Sequence, residues 1–182
     1  MPVLRSGVAA AALMLAQPAS AEHENYTVKD AEVAVPADAA PGDIRRVIQS
    51  FPNWTLICDE NLKARSRVCN VTQTFVDRQG GPVFSWTLAA SEDGKPLLIF
   101  RAPPALGLSG VIKLRHAGAK RTVRVPVRAC DETTCVAITR LGAGLREQIA
   151  RGSVVRLSYE ADHKASFEAP LAGLKDAVAA ID

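Results

Sequence analysis

The sequence predicts an all-β domain, arranged as a β-sandwich of short antiparallel strands. About eight to ten short runs alternate apolar and polar side chains, turn-forming residues separate them, and few stretches have helical spacing. This combination is typical of a sandwich, and a partly open barrel is the second choice. We assign the domain to residues 44–182.

The first predicted hairpin contains two of the four cysteines. Residues 54–58 and 67–75 each alternate, and the polar connection between them begins at Asp59. This pattern indicates two antiparallel strands that are cross-linked near their turn. Residues 44–49, just before this hairpin, fit either a short helical turn or an edge strand.

Turn chemistry predicts the next two hairpins. An Asp-Gly pair at 93–94 separates the runs 82–90 and 97–101, and glycine tolerates the positive φ that such turns demand. The runs 111–115 and 122–129 form the following hairpin. There Pro126 predicts an edge or a bulge, because proline cannot donate a hydrogen bond to a strand ladder.

The C-terminal part adds a hairpin and two short helices. Residues 145–151 have helical character with Gly152 as a cap, and the runs 154–160 and 165–169 form the last hairpin. Pro170 suits the first position of a final helix. The apolar stripe of that helix, which should pack on the sheet, consists of Leu171, Leu174, Val178 and Ile181.

The first 43 residues are predicted to lie outside the domain. Residues 1–21 carry Arg5, an apolar run and the small-x-small signal Ala19-Ser20-Ala21, which is typical of a secretory signal peptide cleaved before Glu22. The apolar run is shorter than the ~20 residues of a membrane span. Residues 22–43 hold six acidic residues against one lysine and predict a flexible acidic arm. We therefore expect a periplasmic or secreted protein.

Four cysteines in an exported chain favour two disulfides over free thiols or metal ligands. Three connectivities are possible, and sequence alone does not choose strictly between them. We favour the local pairs Cys58–Cys69 and Cys130–Cys135, because each pair flanks a polar, turn-like segment.

The sequence gives little support for catalysis or for a cofactor. The three histidines are isolated, which argues against a metal site, and no Gly-x-Ser-x-Gly elbow or phosphate loop is present in the sequence. Four residues separate Cys130 from Cys135, whereas the redox motif has two. We predict a protein that is not an enzyme.

Charge placement carries more functional information. Six basic residues cluster within one predicted hairpin: Lys113, Arg115, Lys120, Arg121, Arg124 and Arg128. Such a surface could bind lipid headgroups, lipopolysaccharide phosphate or another polyanion, and so allow peripheral membrane association. Alternatively, the positive charge only prevents edge-to-edge strand pairing. Nucleic acid is disfavoured, because no aromatic residues are interleaved in the cluster.

Several segments resemble the invasion-associated locus B family of exported bacterial proteins. The resemblance is carried by Asn53-Trp-Thr-Leu-Ile-Cys58, Cys69-Asn-Val-Thr-Gln73, the segment Ala129–Ala137 with its Cys-x-x-x-x-Cys spacing, and the helix that begins at Leu171. The middle of the chain matches more loosely, at Ala105–Leu108. The resemblance implies an immunoglobulin-like β-sandwich with two disulfides and no known catalytic residues.

The family is named for a role in host-cell invasion. We therefore expect a non-enzymatic periplasmic or envelope binding protein, which supports invasion or contacts an envelope component through its sheet surface. The alternative is an accessory subunit that docks on a periplasmic membrane complex through the acidic arm or the basic hairpin.

Overall fold

The computed structural model describes residues 26–29, 44–63, 65–91, 94–116, 118–119 and 121–181. Within these ranges the chain forms eleven strands, two α-helices and one 3₁₀ turn. The strands are β1 (Thr27–Val28), β2 (Ile44–Phe51), β3 (Trp54–Asn61), β4 (Ser66–Val76), β5 (Pro82–Ala90), β6 (Pro96–Ala102), β7 (Val111–His116), β8 (Val123–Cys130), β9 (Cys135–Arg140), β10 (Val154–Glu160) and β11 (Lys164–Pro170). The helices are α1 (Ala143–Arg151) and α2 (Leu174–Ala179), and the 3₁₀ turn is Pro104–Leu106.

The strands follow one antiparallel path in the order β11-β10-β7-β8-β9-β6-β5-β4-β3-β2, and β1 pairs with β4. This path curls, because strands that are distant along it share one core. The ring of Phe167 on β11 lies 4.7 Å from that of Phe84 on β5 and 4.9 Å from that of Phe75 on β4. The all-β prediction is confirmed, whereas an immunoglobulin-like sandwich of two separate sheets is not.

Period-two alternation builds the core as predicted. Trp54, Leu56 and Cys58 of β3 are buried on one face, and Val71 and Phe75 of β4 are buried beside them. Removing these large apolar side chains from water is the main stabilising contribution to such a fold. Of the two interpretations for residues 44–49, the edge strand is correct, because β2 lies at one end of the path.

Pro126 lies where β8 changes its pairing partner. Up to Pro126 the strand pairs with β7, and from Val127 it pairs with β9, with a register shift between Val127 and Ala129. This irregularity leaves Arg128 as the extra residue of a bulge. The bulge predicted from Pro126 is therefore present, two residues further along the strand.

The C-terminal helix is present but begins later than predicted. Pro170 ends β11, and α2 starts at Leu174 after Gly173, whose φ is +86°. A Cβ on Gly173 would lie only 2.4 Å from the carbonyl oxygen of Pro52, so the start of α2 is fixed against the β2–β3 turn. The stripe changes accordingly: Ala177 is buried, while Val178 is 37% exposed. The predicted α1 and its Gly152 cap are confirmed.

Both local disulfides are present, Cys58–Cys69 across β3 and β4 and Cys130–Cys135 across the β8–β9 turn.

No helix among the described residues has the length and apolar character needed to cross a membrane.

The predicted signal peptide, residues 1–21, lies outside the described residues and stays a prediction. Of the predicted acidic arm, only residues 26–29 are described. There β1 pairs with Phe75 and Val76 of β4, and the ring of Tyr26 lies 4.7 Å from that of Phe167.

Candidate functional site

Three of the predicted basic residues meet on the outer side of β7 and β8. Ile112 and Leu114 of β7 are buried, so Lys113 and Arg115 point away from the core. Lys113 lies directly opposite Arg124 of β8 in the antiparallel register. Directly opposed side chains on one sheet face have Cβ atoms about 4.5–5.5 Å apart, close enough to interact.

A fourth cation, Arg156, lies on this surface outside the predicted hairpin. Arg156 of β10 lies directly opposite Arg115 of β7. The alternation of residues 154–160 does indicate that Arg156 points outward, but nothing local in the sequence shows that β10 pairs with β7. We refer to Lys113, Arg115, Arg124 and Arg156 as the basic face.

The other predicted basic residues lie apart from the basic face. Arg121 is exposed before β8 begins, and Arg128 is exposed at the β8 bulge, two residues before Cys130. Lys120 lies outside the described residues, so its predicted place in the cluster stays a prediction.

Most of the charge on the basic face is unbalanced. Arg156 pairs with Glu168 of β11 at 2.6 Å, and because both side chains are more than half exposed this pair adds little stability. In the part of the chain that is described, Lys113, Arg115 and Arg124 form no ion pair with a carboxylate. Like charges that lie directly opposite each other destabilise a sheet. The opposition of Lys113 and Arg124 therefore costs the free protein some stability.

Protection of a sheet edge does not explain Lys113. It is paired with Ser158 of β10 on one side and with Arg124 of β8 on the other, so it lies in the interior of the sheet. Edge protection applies more readily to Arg115, which lies past the last β7–β8 pair at Leu114, and to Arg124, because the first half of β8 pairs with β7 alone among the described strands.

A second concave feature lies on the outer side of β4, β5 and β6. It is a groove of about 490 Å³. Its floor includes Thr74, Ser85 and Arg101, which are neighbours across three adjacent strands. Its rim includes Thr133 and Thr134 of the β8–β9 turn. Local sequence patterns do not indicate this groove, because its two parts come together only through the pairing of β6 with β9.

Asp131 shapes that turn. Its Oδ1 accepts hydrogen bonds from the hydroxyl of Thr133 at 2.7 Å and from the backbone N–H groups of Thr133 and Thr134 at 2.7 and 2.8 Å. These bonds, led by the one from the hydroxyl, stabilise the ionised carboxylate and hold the pKa of Asp131 below its usual value. The rim of the groove is thereby fixed next to the Cys130–Cys135 disulfide.

The described residues form neither a metal site nor a free-thiol site. No group of three His, Cys, Asp or Glu side chains there could hold a metal ion, and the four cysteines are all in disulfides. His163 lies 3.4 Å from the hydroxyl of Tyr26, in contact with the N-terminal strand.

Comparison with known proteins places these features in a family. The model of the invasion associated locus B (IalB) protein family matches residues 54–182. The crystal structure of invasion associated protein B from Bartonella henselae superposes with a TM-score of 0.61 at 15% identity, covering 74% of this chain and 94% of that chain. At this identity the structural match shows a shared fold. The comparison with curated proteins gave no match.

The matched region contains both disulfides, the basic face and the groove. The family resemblance noted from the sequence motifs is confirmed. The chain belongs to the invasion associated locus B family.

Proposed function

We propose that this chain is a non-enzymatic, exported binding protein that engages an anionic component of the bacterial envelope through its basic face. The observation that carries the proposal is the direct opposition of Lys113 and Arg124 on adjacent strands, without a carboxylate partner among the described residues. The arrangement costs stability in the free protein. A bound anion would remove that cost.

Export supports an envelope ligand. The two disulfides and the family membership suggest a protein that works in an oxidising compartment outside the cytoplasm. Phosphate groups of lipids and of lipopolysaccharide are abundant anions in that setting. A periplasmic location and a cleaved signal peptide at residues 1–21 are part of this proposal.

The rigidity of the site favours binding of several phosphates at once. The basic residues project from hydrogen-bonded strands, so less conformational entropy is lost on binding than with a mobile loop. Near an anionic surface each lysine or arginine contributes about 1 kcal/mol, and salt screens the attraction. Three unpaired cations therefore predict about a hundredfold preference for anionic over neutral vesicles.

Vesicle sedimentation tests the proposal. The full chain is mixed with vesicles of phosphatidylcholine alone, with vesicles containing phosphatidylglycerol, and with vesicles containing lipopolysaccharide. We expect binding to one or both anionic preparations, weakening as salt is raised, and about a hundredfold loss in the Lys113→Gln, Arg115→Gln, Arg124→Gln triple variant. The relative response to the two preparations identifies the source of the phosphate.

The matched control removes the same charge elsewhere. Arg78→Gln, Arg140→Gln, Lys175→Gln replaces three exposed cations outside the basic face and should retain most of the binding. If both triple variants lost vesicle binding equally, net charge alone would explain the binding, and the proposed site would be overturned. No binding to either anionic vesicle, together with one stoichiometric partner crosslinked from membranes, would favour the accessory-subunit alternative.

The names of the family and of the Bartonella henselae protein refer to invasion. A contribution of this chain to invasion is a further hypothesis, which rests on those names. Cell-entry assays of a deletion strain complemented with the native chain or with the basic-face triple variant would test it. Full rescue of cell entry by the triple variant would show that invasion does not depend on the basic face.

A further inference from the structure

The groove beside β4–β6 has the properties of a small-ligand site, separate from the basic face. Its volume of about 490 Å³ lies within the range of ligand pockets, about 300–1,000 Å³. It is formed by β4, β5, β6 and the β8–β9 turn, whereas the basic face belongs to β7, β10 and the first half of β8.

Arg101 is the cation of the groove, and its guanidinium is anchored by one hydrogen bond. Its Nη1 donates to the hydroxyl of Thr87 at 3.3 Å, and Thr87 is hydrogen-bonded to the hydroxyl of Thr72 at 2.9 Å. Thr87 is only 3% exposed although it lies on the outer side of its strand, so neighbouring side chains cover this hydrogen bond from solvent. Arg101 has no carboxylate partner among the described residues, so its remaining N–H groups are free to bind a ligand.

Two neutral hydroxyls lie in line with Arg101. Thr74 is paired directly with Ser85, and Ser85 directly with Arg101, so the three side chains form a row across β4, β5 and β6. With strands about 4.8 Å apart, this row spans roughly 10 Å. The hydroxyls of Thr74 and Ser85 have no hydrogen-bond partner among the described residues, and each can donate and accept.

The remaining lining limits the ligand. Among the described residues that line the groove none is acidic, and Arg101 is the only cation. Pro82, Pro103 and Pro104 form stiff walls. One guanidinium fits one carboxylate, since its planar fork makes two parallel hydrogen bonds to it. A phosphate dianion would leave one charge uncompensated.

We infer that the groove binds a small carboxylate with hydroxyl groups on its body, the chemistry of a sugar acid. The carboxylate pairs with the guanidinium of Arg101, and the ligand hydroxyls exchange hydrogen bonds with Ser85 and Thr74. Thr133 and Thr134 close one side of the groove. The sugar acid is either a free molecule or a unit of an acidic envelope glycan.

Titration of the full chain with glucuronate, followed by amide chemical shifts, tests this inference. We expect saturable shifts at Thr74, Ser85 and Arg101. Glucose, which lacks the carboxylate, should bind at least about tenfold more weakly, because it loses a charge-assisted pair. Glucose 6-phosphate should also bind more weakly. An oligouronate that binds more tightly than glucuronate assigns the ligand to a glycan, and equal affinity assigns it to a single unit.

Variants locate the site. Arg101→Gln should weaken glucuronate binding about tenfold or more, and Thr74→Val with Ser85→Ala by about threefold to tenfold. Arg140→Gln, another exposed outward arginine one strand away, should leave it unchanged. Thermal melts check that each variant is folded. Arg101 is exposed, so its replacement should leave the core intact.

Three results would overturn the inference: no saturable shift in the native chain, equal binding of glucose and glucuronate, or unchanged binding in a folded Arg101→Gln variant. The basic-face triple variant should bind glucuronate normally. Failure of vesicle binding and failure of glucuronate binding are therefore separable results.

Discussion

Strands β4 and β5 carry one polar network on each of their faces, and the two networks are one residue apart in sequence. On the inner face Gln73 is paired with Trp86, and on the outer face Thr72 is paired with Thr87. Each pair is hydrogen-bonded through its side chains, at 2.9 Å in both cases. The inner pair lies wholly in the core, whereas the outer pair is bonded to the exposed Arg101, so changes in the two pairs should have different effects.

The inner network connects distant parts of the fold. Gln73 is fully buried; its Oε1 accepts from Nε1 of Trp86, and its Nε2 donates to the carbonyl of Pro170 at 2.9 Å. The same nitrogen lies 3.4 Å from the carbonyl of Asn53 in the β2–β3 turn. One amide thus satisfies polar groups from three separate segments. The outer network ends instead at Arg101, in a groove open to solvent.

The difference shows how one strand pair serves two purposes. Buried polar groups cost free energy when they are left without partners, so the inner network is tied to stability. In the outer network Thr87 is buried, but Arg101 is exposed and can exchange bonds with water, so the guanidinium end of that network is available for recognition. Changes at neighbouring positions should therefore separate folding from binding.

The largest expected effect is that of Gln73→Leu. The substitution keeps an apolar shape of similar size but leaves the Trp86 N–H and the Pro170 carbonyl unpaired in the core. We expect a loss of about 2–4 kcal/mol in the free energy of unfolding, from about 1–3 kcal/mol for each orphaned group. Urea denaturation followed by tryptophan fluorescence measures it.

Two further variants sharpen this test. Thr72→Val, one residue away on the outer face, should cost about 1 kcal/mol or less. The double variant Gln73→Leu, Trp86→Phe should cost less than the sum of its single changes, because the Trp86 donor is removed together with its acceptor. A Gln73→Leu loss no greater than that of Thr72→Val would contradict the division between the two faces.

Thr87→Val has the next largest expected effect, and it acts on both properties. Valine matches the shape of threonine but cannot accept the bond from Arg101. We expect a loss of about 0.5–1.5 kcal/mol in unfolding free energy and several-fold weaker glucuronate binding, because the guanidinium loses its anchor. Thermal melts and the same titration measure the two effects. Unchanged binding would mean that Arg101 needs no anchor.

Local sequence patterns predicted the inner side of the fold better than the outer side. Alternation in residues 54–58 and 67–75 predicts the two strands whose buried faces include Trp54 and Phe75, and the polar, turn-like segments between the cysteines predict both disulfides. These features depend on neighbours in sequence. Gln73 lies within the predicted strand 67–75, but nothing in its local sequence indicates its partners at Pro170 and Asn53.

The candidate sites depend on contacts between distant segments, which local patterns do not contain. Arg156 joins the basic face through the pairing of β10 with β7, and Arg101 meets the β8–β9 turn through the pairing of β6 with β9. The start of α2 was misplaced for the same reason, because the contact of Gly173 with Pro52 fixes it. Pro170 alone suggested an earlier start.

On the basic face, Lys113→Thr should raise the free energy of unfolding, whereas the variants above lower it. Removing one of two directly opposed cations relieves repulsion with Arg124, and threonine suits a strand. We expect a gain of about 0.2–1 kcal/mol in unfolding free energy together with weaker binding to anionic vesicles. Lys113→Glu should stabilise at least as much by pairing with Arg124, and should bind the vesicles even less. A loss of stability in both variants would contradict the repulsion argument.

The smallest expected effect concerns acid and the rim of the groove. The bonds from Thr133 and Thr134 lower the pKa of Asp131 below 3.8, so they stabilise the turn at pH values above 3.8. That contribution is lost as the pH falls through the lowered pKa, because the protonated acid is a poorer acceptor. Amide shifts of Thr133 and Thr134 should titrate with a midpoint below 3.8, and in Asp131→Asn this titration should disappear. A midpoint at or above 3.8 would show that the carboxylate does not hold Thr133 and Thr134 in solution. The groove beside Arg101 would then have no fixed side at the β8–β9 turn.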